Sequence, residues 1–378
     1  MNFELTQEQQ LLADTVRRVI DKDYAFEARK QIVASAEGHS PAVWSTFAEL
    51  GLMGLPISED AGGFGGGATD MIAVMETIGA GLVLEPYLST VGLVGRLIDR
   101  HGSSAQKEAV LSSVVEGSCK LALAHYEAGG RYANPAVALT ARAANGGWVL
   151  DGDKVAVVDA PVADKLLVSA RTAGAAGDAD GITLFLVDAK AAGVAMKTYR
   201  TQDSLRAAEV AFRGVALSDD ARVGPAGGGL PILEEALDFA GALLCAEAVG
   251  AMKFACDTTL EYLKTRKQFG VTIGSFQALQ HRMVDMCIST EQARSITYLA
   301  CAKVGGDVPA AERARTVAAA RVKVADAARH VGQEAIQLHG GMGMTLEMKV
   351  SHTFKRLTML SQAFGDADYH LERFTKAA

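Results

Sequence analysis

The chain has 378 residues and a formal net charge of −7, with 49% hydrophobic and 21% charged residues. That length exceeds one ordinary core, so two or three domains are expected, with the composition of a globular protein. The acidic balance and the lack of any dense Lys/Arg cluster argue against a nucleic-acid face or a surface for anionic lipid.

None of the five cysteines, Cys119, Cys245, Cys256, Cys287 and Cys301, forms a C-x-x-C pair. This argues against zinc and dithiol chemistry, and four of the five read as small apolar residues in helices. The N-terminal "MNFELTQEQQ" is polar and acidic, unlike a secretory leader. No uninterrupted apolar run reaches the length of a bilayer span. A cytoplasmic protein that engages neither membrane nor nucleic acid is expected.

In chain order, Thr6 and Gln9 in "TQEQ" predict a capping box that opens an amphipathic helix. Ser40 and Pro41 supply an N-cap and a proline at the first position of a second helix, which Gly51 stops. "ISEDAGGFGGGATD" follows no strand of a βαβ unit, so it reads as a flexible turn rather than a dinucleotide loop. Helical patterns then cover 69–78, 89–100 and 105–116. From Cys119 the pattern changes to short β-rich runs with Gly turns. Asn145-Gly146 between two of them is a strong hairpin signal. Several strands with no helix between them predict a small antiparallel barrel or sandwich. "VGPAGGG" (223–229) has the composition of a linker. Helical segments follow over 231–266, 276–304, 310–338, 346–360 and 367–376, which suit a four-helix bundle. The expected class is mainly α with a central β domain, divided as 1–118, 119–228 and 229–378.

Two C-terminal stretches carry a family likeness. "TRKQFGVTIGSFQALQHRMVDM" (265–286) and "QLHGGMG" (337–343) resemble the signatures of the FAD-dependent acyl-CoA dehydrogenases. The α–β–α order agrees, and the likeness covers nearly the whole chain. The resemblance implies a glutamate that removes the α-proton of an acyl-CoA thioester, a flavin that takes the β-hydrogen as hydride, and an electron-transfer flavoprotein as electron acceptor. It also implies FAD shared across a subunit boundary, with the ring on one subunit and the diphosphate held by its neighbour.

Carried onto this sequence, the donated contacts are Arg266, Gln268, Phe269, Gln277, Gln337, Leu338, His339, Gly340 and Gly341. A guanidinium fork at Arg266 suits a pyrophosphate. Gln337 to Gly341 would bring bare backbone N–H groups to the diphosphate region, the paired glycines letting the backbone approach the dinucleotide.

The contacts that the resemblance assigns to a subunit's own ring and substrate depart from the pattern. "YEAGGRYAN" (126–134) keeps only Glu127 and Gly129 of the usual β-domain motif, and Tyr132 stands at the serine position. Ala156 and Val158 stand where Trp and Thr or Ser would face the flavin, and valine cannot hydrogen-bond to the ring edge. The two positions used for the base are Phe364 and Ala240. Asp366, Asp238 and Glu247 are weak substitutes, Asp366 reading as a helix cap. His125 and His339 read as structural, and Lys355 and Arg356 as a solvated helix face.

The leading expectation is therefore the non-catalytic subunit of a heteromeric acyl-CoA dehydrogenase, α2β2. It would donate the diphosphate half-site to a homologous catalytic chain, as some bacterial relatives acting on steroid side-chain, cyclic or dicarboxylic acyl-CoA substrates do. A self-sufficient homotetramer with a relocated base and a non-enzymatic acyl-CoA or protein-binding scaffold are the alternatives.

Overall fold

The structure is a computed structural model that describes residues 6–306 and 308–377; part of the stretch read against a leader lies outside them. Helices α1 (Gln7–Asp23), α2 (Phe26–Ala34) and α3 (Pro41–Glu49) open the chain, followed by α4 (Ala68–Gly81), a π-helix (Leu88–Gly95), α5 (Arg96–His101) and α6 (Ser104–Val115). The expected helix over 89–100 is thus a buried π-turn segment running into a short α-helix. The capping box at α1 forms, with Gln9 N–H donating to Thr6 Oγ1 at 3.2 Å and Thr6 N–H to Gln9 Oε1 at 2.9 Å.

The glycine-rich segment before α4 is not a flexible turn. Gly63, Phe64, Gly65 and Gly66 N–H groups donate to the carbonyls of Ser58, Gly54, Ile57 and Leu55. A side chain at Gly63 would strike the Ile57 carbonyl, so the tight backbone packing explains the glycine.

Strands β1 (Leu121–Ala124), β2 (Thr140–Ala144), β3 (Gly147–Val158), β4 (Lys165–Arg171), β5 (Ile182–Asp188), β6 (Val194–Arg200), β7 (Arg206–Ser218) and β8 (Arg222–Val223) form one sheet. The order is β6-β7-β3-β2-β4-β5-β8, with β1 beside β4. Asn145 and Gly146, both at positive φ (51° and 77°), make the expected two-residue turn between β2 and β3. The sheet is mixed rather than wholly antiparallel, because β1 and β2 both run parallel to β4. Leu150, Val157, Leu166, Val168, Phe185 and Phe212 fill its core. The 223–229 segment is anchored to this sheet, not loose. Gly227 N–H donates to Thr183 Oγ1 at 2.8 Å, and Gly181 N–H to Gly227 O at 3.0 Å.

Helix α7 (Gly229–Thr265) leads to the small hairpin β9 (Lys267–Gln268) and β10 (Val271–Thr272), then α8 (Gln277–Val304), α9 (Ala310–His339), α10 (Lys349–Leu360) and α11 (Ala367–Lys376). Helix α7 is long and apolar enough to cross a bilayer by length and composition, but Asp238, Glu247 and Lys253 interrupt its apolar run, as the sequence expectation has it, and most of its apolar stretch is buried inside the protein.

The chain packs as two compact units. One takes residues 32–66 and 84–240 and contains the sheet; the other takes 1–31, 67–83 and 241–378. In the second unit α9 packs against α8, α10 and α11. There α4 and α7 touch backbone to backbone. A side chain at Gly79 would strike the Glu247 carbonyl, and one at Gly250 the Glu76 carbonyl.

Candidate functional site

Helix α7 stops at Thr265, and the chain turns at once into the β9–β10 hairpin. Its two turn residues, Phe269 and Gly270, both have positive φ, 55° and 82°. That is the type I′ geometry favoured by two-residue hairpins, but a bulky residue in that region is uncommon. Phe269 is also 91% exposed, with only an edge contact to Phe276 at 6.1 Å. Its own chain gives this strained, exposed aromatic little beyond that edge contact, so it is available to a binding partner.

Arg266, Gln268 and Gln277 are exposed around it. Among the described residues, Arg266 pairs with no carboxylate. Gln277 begins α8, a helix of 28 residues whose N-cap, Phe276, has no side chain to accept its first N–H groups. That end carries the positive pole of the helix dipole.

The end of α9 lies beside this hairpin because Tyr262, one turn before Arg266, stacks on His339 with ring centroids 4.5 Å apart. His339 Nδ1–H donates to Ala335 O at 2.8 Å, and burial pushes the imidazole pKa down, so the ring is neutral. Gln337, Gly340 and Gly341 are exposed, whereas the side chains of Leu338 and His339 are buried in the bundle.

The expectation of bare donors from 337 to 341 needs correction. Residues 337–339 belong to the α9 ladder, and Gly340 N–H donates to Gln337 O. A helix C-terminus also presents the negative end of the dipole. What the turn offers is room. Gly340 takes φ 58° and ψ −143°, where only glycine is comfortable, and nothing lies within 4 Å of a side chain built at either glycine. At Gly341 neither conformation nor neighbours within the chain require glycine, so the position leaves room for another molecule to approach the backbone.

The two base positions are apolar in space as well as in sequence. Ala240 is fully buried. Phe364 sits at φ 57° in a turn held by Arg321, a buried residue of α9. The Arg321 guanidinium donates to Leu360 O at 2.9 Å, Ala363 O at 2.6 Å and Gly365 O at 3.4 Å. Its Nε lies 3.5 Å from His370 Nε2, and burial holds His370 neutral with a pKa near about 2.

The substitute acids are occupied or enclosed. Asp366 caps α11 by accepting from Tyr369 N–H at 2.9 Å. Glu247, 2% exposed, is ion-paired with Arg356 Nε at 2.7 Å. Arg356 is therefore no solvated helix-face residue, as its place in the sequence suggested. Asp238 is buried.

In the sheet unit, Ala156 sits at φ 52° in an irregular stretch of β3, and Val158 is 39% exposed at its end. Neither offers a polar side chain. Glu127 accepts from Ala138 N–H at 2.8 Å, Leu139 N–H at 3.0 Å and Lys154 Nζ at 2.7 Å. Lys154 is fully buried and also donates to His125 O at 2.9 Å and Ser169 Oγ at 3.0 Å. Burial lowers its pKa to about 8 and that of His125 to about 3. The retained Glu127 is thus a fastener of the 126–139 loop. Sequence reasoning missed Lys154 and Arg321, since no local signal names the distant partners of a buried cation.

The exposed groups of the bundle unit fit a dinucleotide. Arg266 offers a guanidinium fork, α8 an open N-terminus, Phe269 and Phe276 flat apolar faces, and Gly340–Gly341 a surface without side chains.

A helical region, a β domain and a C-terminal helix bundle, in that order, make the fold of a flavin-dependent dehydrogenase. Models of the acyl-CoA dehydrogenase N-terminal, middle and C-terminal domains match residues 6–118, 121–215 and 227–378. The chain is 30% identical over 363 residues to L-prolyl-(peptidyl-carrier protein) dehydrogenase of Serratia sp., covering 92% of this chain and 90% of that one. It superposes on butyryl-CoA dehydrogenase from Megasphaera elsdenii with a TM-score of 0.92 at 25% identity, covering 100% and 99% of the two chains. On the ChsE4-ChsE5 complex from Mycobacterium tuberculosis the TM-score is 0.90 at 27% identity, covering 100% and 98%. The chain belongs to the acyl-CoA dehydrogenase family, FAD-dependent oxidoreductases that act on CH–CH bonds.

Proposed function

We propose that this chain is the non-catalytic subunit of a heteromeric acyl-CoA dehydrogenase, α2β2, and lends its dinucleotide half-site to a homologous catalytic chain. The observation that carries the reading is an asymmetry. Arg266, Gln268, Phe269, Gln277, Gln337, Gly340 and Gly341, which a neighbour's cofactor would use, are exposed, while both base positions are apolar and Asp366 and Glu247 are already committed. Two-component architecture has a precedent in the ChsE4-ChsE5 complex, whose fold this chain shares.

FAD, when bound, supplies the hydride acceptor that no side chain can provide. This chain's part is binding. Arg266 would pair with the pyrophosphate, and Gln268, Gln277 and Gln337 would hydrogen-bond to the diphosphate end. Phe269 would cover a flat part of the cofactor, and Gly340–Gly341 would let it approach the backbone. The residues of the sequence motif that remain, Leu338 and His339, would support this surface from within. The partner would hold the flavin ring and the proton-abstracting glutamate, bind the acyl-CoA, and pass electrons to an electron-transfer flavoprotein.

The test is to purify the chain alone and with a co-expressed homologous catalytic chain, and to record the flavin absorbance and acyl-CoA oxidation of each. The reading expects flavin and activity only in the complex. Stoichiometric flavin and turnover in the chain alone would sink it.

A further inference from the structure

Two lysines have their amines drawn out of bulk water, and they are held in opposite ways. Lys154 is fully buried and donates to Glu127 Oε1, His125 O and Ser169 Oγ, so each of its N–H groups has a partner. Lys349, the first residue of α10, is only half-buried. Its ammonium lies over the Phe254 ring of α7, 4.2 Å from the centroid, and among the described residues its amine has no hydrogen-bond or carboxylate partner. It is not sealed either. The unpartnered polar atoms that are wholly enclosed include His125 Nε2, His339 Nε2 and His370 Nδ1 but not Lys349 Nζ, so solvent reaches that nitrogen.

The surroundings of Lys349 favour the neutral amine. Lys349 and His352 are three residues apart on α10 and share a face. Arg29, a residue of α2 that is 2% exposed, reaches that face. His352 Nε2–H donates to Leu346 O at 3.0 Å, so its Nδ1 accepts from Arg29 Nη1–H at 3.5 Å. The imidazole is a neutral bridge, and the charge brought to that face is the guanidinium's. Burial first, and then the Arg29 charge, lower the Lys349 pKa to about 8, against a smaller opposite pull from Asp21 on α1.

We propose that Lys349 is a site of covalent acylation by acyl-CoA thioesters. The lone pair of the neutral amine attacks the thioester carbonyl. The C–N bond forms, the C–S bond breaks, and coenzyme A leaves as its thiol with the proton that the amine gives up. Nothing is oxidised or reduced, and the product is an amide. Acylation takes the positive charge off the Phe254 face and away from Arg29. Lys154 has a similarly lowered basicity, but its enclosure and its three partners deny it a thioester. The site needs an acyl-CoA and nothing from the hairpin or the glycine pair, so it does not rest on the proposed function above.

The full chain is incubated with acetyl-CoA at about pH 8 without denaturant, and the acetylated fraction of each lysine is followed by peptide mass spectrometry. An amine that titrates near about 8 is about half neutral there, against about 1 in 250 for an ordinary lysine. Its lower basicity takes back part of that advantage. Lys349 should therefore be acetylated about tenfold faster than the exposed Lys22, Lys197 and Lys376. Its rate should level off above about pH 9 while theirs keep rising, and in denaturant the difference should vanish. The wild-type chain suffices for all of these readings, so no variant has to fold. Lys349 labelled no faster than those three, or a lead that survives unfolding, would overturn the proposal. Flavin content and turnover test the half-site reading and leave this one untouched, so the two fail separately.

Discussion

Tyr262 and His339 stack with their ring planes 30° apart, and this one contact sets the roots of two exposed turns side by side. Tyr262 lies in the last turn of α7, before the Arg266–Phe269 hairpin, and His339 is the last residue of α9, before Gly340 and Gly341. A neutral imidazole packs on the phenol ring without the cost of a buried charge. Elements separated along the chain thereby present one surface. Replacing His339 with Ala should loosen both turns at once, read as faster amide exchange over 266–272 and 340–344.

Gly340 and Gly341 separate folding from binding. Gly340→Ala forces a side chain into a glycine-only backbone region and should cost about 1–3 kcal/mol. Gly341→Ala meets open space at ordinary φ and should change stability by no more than about 0.5 kcal/mol. If the glycine pair admits a cofactor, Gly341→Ala still weakens flavin retention in the complex. Denaturant unfolding and flavin titration of both variants check this.

Arg266→Ala in this chain should weaken flavin binding by the complex about 10- to 150-fold, the range of one charge-assisted hydrogen bond of about 1.5–3 kcal/mol. Stability of the free chain should hold, because Arg266 is exposed and unpaired with any described carboxylate. Equilibrium dialysis of flavin against wild-type and variant complexes gives the ratio.

Arg356→Ala would strand the Glu247 carboxylate in the bundle and should cost about 3–5 kcal/mol, the range for breaking a buried pair. Replacing both, as E247Q with R356M, should recover much of that loss. In the complex the double variant should keep its turnover, since Glu247 is a structural acid here. A drop in kcat with stability restored would instead mark Glu247 as the base.

Glu127→Ala would remove the counter-charge of buried Lys154 and free two backbone N–H groups of the 126–139 loop. A loss of about 3–5 kcal/mol is expected in denaturant unfolding. The pH profile has a definite sign. Lys154 titrates near about 8 when folded and higher when unfolded, so between those values the unfolded chain holds the extra proton. This group's contribution therefore increases stability as pH rises above about 8, and Lys154→Met should remove that slope.

Glu235 gives the acid counterpart. The hydrogen bond from His101, helped by the charge of Arg100 at 2.6 Å, holds its carboxyl down to about 2. Its stabilisation is fully present above the ordinary carboxylate range and is lost as pH falls through that range towards about 2. In Glu235→Gln, the stability curve should be flatter over that window.

Local chemistry was legible in the sequence. The Thr6–Gln9 capping box, the Ser40–Pro41 helix start and the Asn145-Gly146 turn each involve residues within a few positions of one another, and all form. The apolar residues at both base positions were equally plain, because a missing carboxylate needs no geometry to be noticed. The π-helix at Leu88–Gly95 escaped notice because its pattern of apolar residues is that of an ordinary buried helix.

By itself, then, the sequence determined the order of helices and strands and which chemical groups the chain can bring to a site, since both depend on residue type and short-range spacing. Only the tertiary structure decided which groups are left free to bind. Glu247 meets Arg356, Lys154 meets Glu127, and Arg321 holds the turn around Phe364. Each meeting joins residues that are distant along the chain, and burial makes each partner matter by removing the water that would otherwise serve in its place.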